Sequence, residues 1–259
     1  MHPAIFTASW MFLWKLNVSL PAGASVFEQI VLRWVHIVAG IIWIGLLYFQ
    51  ALVGLPGAKS LDPAVRGKAI VALMPRAMWL MRWGAFVTWL AGFRYFMILA
   101  QTDAINAGRP LAWLGWIGIW LACWVAAFGI QMALLRPGKG FLGNGIVVGT
   151  LVIFVMAAVA WLVVSLLAQP GVGNRTLSIS IGGGLGTILL FNVWGIVWRC
   201  QKRLIAWTCE SVEHGAPMPE EAAALQRLST ITVYISFWLT FPMLFFMAAS
   251  AHFALFSGQ

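Results

Sequence analysis

GIVVGTLVIFVMAAVAWLVVSLLA, residues 145–168, runs for twenty-four residues without one charged side chain. A helix needs about 20 mainly apolar residues to cross roughly 30 Å of hydrocarbon. A helix that is apolar on every side is buried in a core or sits in lipid. Working outward, five more stretches meet the same requirement: 29–53, 78–101, 111–135, 177–199 and 230–256. The segments between them are polar or turn-rich: GLPGAKSLDPAVRGK, TDAINAGRP, RPGKGFLGNG and QPGVGNRT. The longest, RCQKRLIAWTCESVEHGAPMPEEAAALQR, reads as two helical extensions broken at GAPMP and gives a loop at 200–229.

Composition agrees with that pattern. The 259 residues are 62% hydrophobic and 9% charged, against about 45–50% and 25% in an ordinary soluble domain. This excludes a soluble globular enzyme and a disordered chain. The net charge of +9 is spread between apolar runs instead of forming a patch, so nucleic acid is excluded as a partner. Cys123, Cys200 and Cys209 form neither CxxC nor CxxCH, so neither a disulfide framework nor a c-type haem site is expected. The expected fold is all-α, a polytopic bundle of six transmembrane helices (26–259). It is preceded by an interfacial segment (1–25), whose apolar stretch is too short to cross and carries Trp10 and Trp14.

Six spans put both termini on one side. The other side collects Lys59, Arg66, Lys68, Arg76, Arg82, Arg136, Lys139, Arg199, Lys202, Arg203 and Arg227, while the terminal side keeps Lys15, Arg33, Arg94, Arg109 and Arg175. Basic residues collect at the cytoplasmic face. The chain therefore reads as a multi-pass inner-membrane protein with both termini periplasmic.

None of the seven carboxylates falls in the middle of a span. This counts against an ion-coupled transporter or proton pump, which uses ionisable groups at membrane depth. No HExxH or His/carboxylate cluster suggests zinc. Two of the four histidines lie within spans: His36 about a third of the way into the first, and His252 near the end of the last. The first and last helices run antiparallel, so both approach the same face. Gly40 and Trp43 follow His36 at i+4 and i+7 and share its face. Arg33 lies one turn above His36, and Arg94 reaches a similar depth on the second span.

A b-type haem needs axial imidazole, a flat apolar slot and cations for its propionates. His36 and His252 could ligate the iron, Gly40 and Trp43 could form part of the slot, and Arg33 and Arg94 could hold the propionates. The competing account has each His donating one hydrogen bond to a carbonyl while both arginines snorkel to headgroups. Trp113, Trp116, Trp120 and Trp124 form a stripe expected to face lipid or another subunit, with a cofactor wall as the other reading. Gly182, Gly183, Gly184 and Gly186 permit close helix–helix or helix–cofactor approach, with packing the favoured explanation, and Asn192 is expected to find a partner inside the bundle.

Four stretches carry a resemblance: LRWVHIVAGIIWIGLLYF (32–49), WGAFVTWLAGF (83–93), GGLGTILLFNVW (183–194) followed by QKR, and LTFPMLFFMAASAHF (239–253). In this order they resemble the membrane domain of the bacterial membrane-bound urate oxidase (urate hydroxylase) family. In that family a c-type cytochrome domain typically follows the membrane domain. Here the chain ends at Gln259 without CxxCH, the segment between the first two helices is shorter, and Ala251 stands where the family has a polar Asn. The resemblance implies a membrane redox subunit, an oxidoreductase component binding b-type haem and exchanging electrons with a separate periplasmic cytochrome c. Two alternatives stay open. One is a non-catalytic anchor in a larger respiratory or photosynthetic membrane complex. The other is oxidation of urate or another purine, as in the resembled family.

Overall fold

The computed structural model describes residues 23–136 and 143–256, and the N-terminal segment read as interfacial lies almost wholly outside them. Among the described residues every regular element is helical. Helix α1 (Ala24–Phe49) passes through a π-helical turn, π1 (Gln50–Gly54), into the short α2 (Leu55–Ser60). Then come α3 (Pro63–Asn106), α4 (Ala112–Leu134), α5 (Gly145–Leu167) and α6 (Asn174–Phe191). Helix α6 continues through π2 (Asn192–Val197) into α7 (Trp198–His214), and α8 (Ala222–Ala249) closes the bundle. Six of these helical runs are long and apolar enough to cross a membrane. The chain is a multi-pass membrane protein.

Local chemistry sets the ends. Asp62 caps α3 by accepting from Ala64 N at 2.9 Å, with Pro63 at the first helical position, where its missing N–H costs nothing. Asn144 caps α5 by accepting from Ile146 N at 2.9 Å. Gly215, at φ 68°, ends α7 in the left-handed conformation that glycine adopts without strain. The cap of α6 comes from another helix: Asp103 accepts from Gly173 N at 2.9 Å and from Thr176 Oγ1 at 2.6 Å.

Cross-helix contacts fix an alternating up-and-down order. Glu28 meets Arg94 and His36 meets Thr88, so α1 and α3 are antiparallel. Trp89 meets Thr187 and Asp103 meets Thr176, so α3 and α6 are antiparallel too. Asn192 meets Ser236 and Gln201 meets Ser229 along the antiparallel α6–α7 and α8 pair. Helix α6 is the axis, buried along most of its length and packed on by α3, α4, α5 and α8. Helix α1 stands outside, packed mainly on α3. Outward residues such as Trp161, Ile146 and Phe154 are strongly exposed and face lipid. Cohesion between spans therefore comes from close packing and interhelical hydrogen bonds, since lipid is as apolar as the core.

Two expectations change here. The tryptophan stripe of α4 faces inward: Trp116, Trp120 and Trp124 are buried. The room comes from α6, where Gly184 lies so close under the Trp124 ring that a Cβ there would collide with it. The last span also ends sooner than its hydropathy predicts. Helix α8 stops at Ala249, and the chain turns through hydrogen bonds from His252 N and Phe253 N to Ala249 O. Asn174 then clips the returning segment, donating to Phe253 O at 2.8 Å and accepting from Phe256 N at 2.9 Å.

Candidate functional site

A cavity of about 380 Å³ lies between α1, α3, α4, α6 and α8, towards the end of the bundle where α1 begins. Its walls come from helical repeats on each element. Helix α1 gives His36, Gly40 and Trp43, the i, i+4, i+7 face. Helix α3 gives Thr88, Trp89, Gly92, Phe93 and Phe96. Trp120 comes from α4, Gly183 and Gly186 from α6, and Met243 and Met247 from α8. The four stretches quoted for their resemblance, far apart in sequence, thus meet around one space.

His36 is the cavity's polar feature. Its Nδ1 lies 2.8 Å from the carbonyl oxygen of Thr88. A carbonyl only accepts, so Nδ1 carries the proton, and in the neutral ring Nε2 keeps its lone pair. Among the described residues Nε2 has no hydrogen-bond partner. The ring is seated by Gly92: a Cβ there would come within 2.6 Å of both Cε1 and Nδ1. This is the arrangement by which a protein orients a metal-ligating imidazole, one nitrogen bonded to a carbonyl and the other left for the metal.

The α3 wall on which His36 rests continues into an aromatic stack. Trp89 and Phe93 stack with centroids 4.9 Å apart and planes 7° apart, and Phe93 and Trp120 continue the stack at 5.9 Å and 23°. Trp89 Nε1 donates to Thr187 Oγ1 at 2.9 Å and Trp120 Nε1 to Ser180 O at 2.7 Å, which fixes both rings. The thioethers of Met243 and Met247 pack over the glycines of α6. Trp43 is 2% exposed, and its indole N–H is without an acceptor among the described residues. Ile37, Ile41 and Leu244 line the cavity yet are themselves exposed, so its mouth opens to lipid between α1 and α8.

Of the six residues singled out in the sequence, His36, Gly40 and Trp43 meet at this cavity, and the other three lie elsewhere. His252 is exposed in the turn after α8 and does not line it; the chain leaves the helix at Ser250, which turns residue 252 off the face carrying Met243 and Met247. Arg94 is engaged by Glu28 in a two-pronged pair, Nε to Oε1 at 2.8 Å and Nη2 to Oε2 at 3.2 Å. Arg33 is exposed.

A different cation stands above the cavity. Arg175 lies on the same stripe of α6 as Ile179, Gly183 and Gly186. Its guanidinium is 5.5 Å from the Tyr95 ring centroid, and its Nε is buried without an acceptor among the described residues. The 175–179–183–186 spacing was the available signal, hidden because Arg175 reads as a residue of the polar linker. Nothing in the spacing of α8 marked Met243 or Met247.

A family model described as urate oxidase N-terminal matches residues 68–259. The chain belongs to that family. The match takes in α3 to α8, hence every cavity wall except the one given by α1, which carries His36. No curated protein and no solved structure matches the chain.

Proposed function

We propose that this member of the urate oxidase N-terminal family is a membrane redox subunit whose cavity holds a b-type haem, with His36 as the protein ligand. The reading rests on one observation, the unshared Nε2 of His36 in an apolar cavity walled by the parallel Trp89–Phe93–Trp120 stack. The residues fit the group. Gly40, Gly183 and Gly186 keep the walls low, the aromatic stack matches a planar macrocycle, and Met243 and Met247 offer soft thioethers on another wall. Arg175 replaces Arg33 and Arg94 as the cation for an acidic substituent. It lies one turn before Ile179 on the α6 stripe whose Ile179, Gly183 and Gly186 line the cavity, and unlike Arg94 it has no carboxylate partner among the described residues.

Bound there, haem would supply reversible one-electron transfer. The chain's own part is to hold the Nδ1 proton at Thr88 so that Nε2 stays a donor to iron, and to exclude water with tryptophan and phenylalanine. With more basic residues at the opposite end, the cavity lies towards the periplasmic face, in reach of a separate cytochrome c. A second reading is supported by the mouth between α1 and α8. A lipid-soluble quinol entering there would meet the same Nε2, which can accept its hydroxyl proton. Purine oxidation draws less support from this cavity, because a purine needs several convergent polar groups and the side chains here offer mainly one imidazole.

The test is a dithionite-reduced minus oxidised optical spectrum of protein purified from membranes. A b-type band is expected in the parent, lost in His36→Ala and unchanged in His252→Ala. A band that survives His36→Ala, or one abolished by His252→Ala in folded protein, would overturn the assignment. No band in any of them leaves the quinol and anchor readings.

A further inference from the structure

At the other end of the bundle the buried Nε of Arg82 has no acceptor among the described residues. Arg82 of α3 lies with its guanidinium carbon 4.0 Å from the Trp198 ring centroid, 5.2 Å from that of Trp194 and 5.7 Å from that of Trp83. Trp194 Nε1 donates to the Arg82 carbonyl at 3.0 Å, so the box is tied to the backbone of the residue it encloses. Trp83 and Trp194 meet edge to face at 5.5 Å and 90°. The guanidinium has no acceptor among the described residues, and its Nε is sealed from solvent. Four other arginines have partners within the chain: Arg94 in Glu28, Arg203 in Glu221, Arg109 in Pro170 O and Arg227 in Gly143 O.

We propose that the Arg82 box binds the phosphodiester of an anionic glycerophospholipid. The Arg82 box lies at the opposite end of the bundle from the His36 cavity and shares no residue with it. Arg82 lies four residues inside the apolar run that starts near residue 78, against the last apolar turns of the α6–π2–α7 helix. A guanidinium at that depth without an anion is costly. Three indole faces offset part of the cost and leave the fork of N–H donors to be satisfied by an oxygen acceptor. The acceptor present in lipid at the hydrocarbon boundary is the headgroup phosphate, and tryptophans mark that same depth. Arg199 and Lys202, both exposed on the adjoining turn of α7, bias the choice towards lipids with net negative charge.

The experiment uses the full chain in detergent, with native mass spectrometry after adding equal amounts of phosphatidylglycerol and phosphatidylcholine. The expected result is retention of phosphatidylglycerol over phosphatidylcholine by about tenfold. Arg82→Gln loses most of the retained lipid of both kinds, while Arg199→Gln keeps lipid bound and narrows the preference. Inorganic phosphate at millimolar concentration does not displace the lipid. Equal retention of the two lipids by the parent protein overturns the proposal, as does undiminished retention of phosphatidylglycerol by Arg82→Gln. Displacement by inorganic phosphate overturns the lipid source. If Arg82→Gln does not accumulate, the parent competition decides alone.

Discussion

At Gly92 the imidazole of His36 occupies the space where a side chain would begin, with a built Cβ 2.6 Å from two ring atoms. Gly92→Ala should therefore push the ring off its Thr88 carbonyl. Overpacking of this kind costs about 1–3 kcal/mol. The expected outcome is a lower unfolding temperature in detergent together with loss of the b-type band, read on one sample. Gly149→Ala of α5, away from the cavity, is the control: its Cβ would meet Ile235 Cγ1 at an ordinary 3.7 Å, so both readouts should stay near those of the parent. The shared face of His36, Gly40 and Trp43 was legible because it depends on helical spacing within one element. Thr88 and Gly92 were present in a quoted motif without any role, since what they touch depends on the register between α1 and α3.

Between elements, the central hydrogen bonds run from Gln131 of α4, whose Nε2 donates to Asn192 Oδ1, to Asn192 Nδ2 and Ser236 Oγ of α8 at 3.0 Å. Asn192 opens the π2 turn, and its side chain joins three helices at zero exposure. The sequence marked Asn192 as needing a partner, and two are found. Interhelical hydrogen bonds of this kind average about 0.6 kcal/mol in membrane proteins. Asn192→Leu and Gln131→Leu should each destabilise, by about 1 kcal/mol. The double variant should cost less than their sum, because neither then leaves the other's polar group stranded; a double-mutant cycle in mixed micelles measures it. Additive costs would mean that the two side chains do not interact. Two features were illegible at this scale for one reason. The inward turn of the α4 tryptophans depends on Gly184 of α6, and the early end of α8 depends on Asn174 of α6. Each is a long-range contact that periodicity along a single helix does not carry.

For the whole molecule, the six spans followed directly from uncharged runs, since a helix in lipid must satisfy its own backbone and expose apolar side chains. Not all of their ends did. Helix α3 starts at Pro63, extended by contacts beyond the apolar zone such as Gly67 against Val212, whereas the run of α6 through π2 and α7 to His214 is the first of the two helical extensions expected around GAPMP. The excess of basic residues at that end predicts that it is cytoplasmic, and Cys209 on α7 reports on it. Its thiol hydrogen-bonds Glu213 at 3.2 Å, and that bond, with the charges of Glu213 and Glu210, pushes its pKa up. Thiolate is therefore scarce at neutral pH, and reaction with maleimide should quicken as pH rises into the alkaline range. With Cys123 and Cys200 replaced by Ala, a membrane-impermeant maleimide should label Cys209 only after the cells are permeabilised. Labelling in intact cells would invert the topology and place the cavity near the cytoplasm. The central claim remains the ligand at His36, and its most direct test is a pyridine haemochrome assay on the purified chain with protein quantified in parallel. The account predicts about one b-type haem per chain in the parent and close to none in a folded His36→Ala variant; a parent protein carrying no haem, or an equal load in the variant, would contradict it.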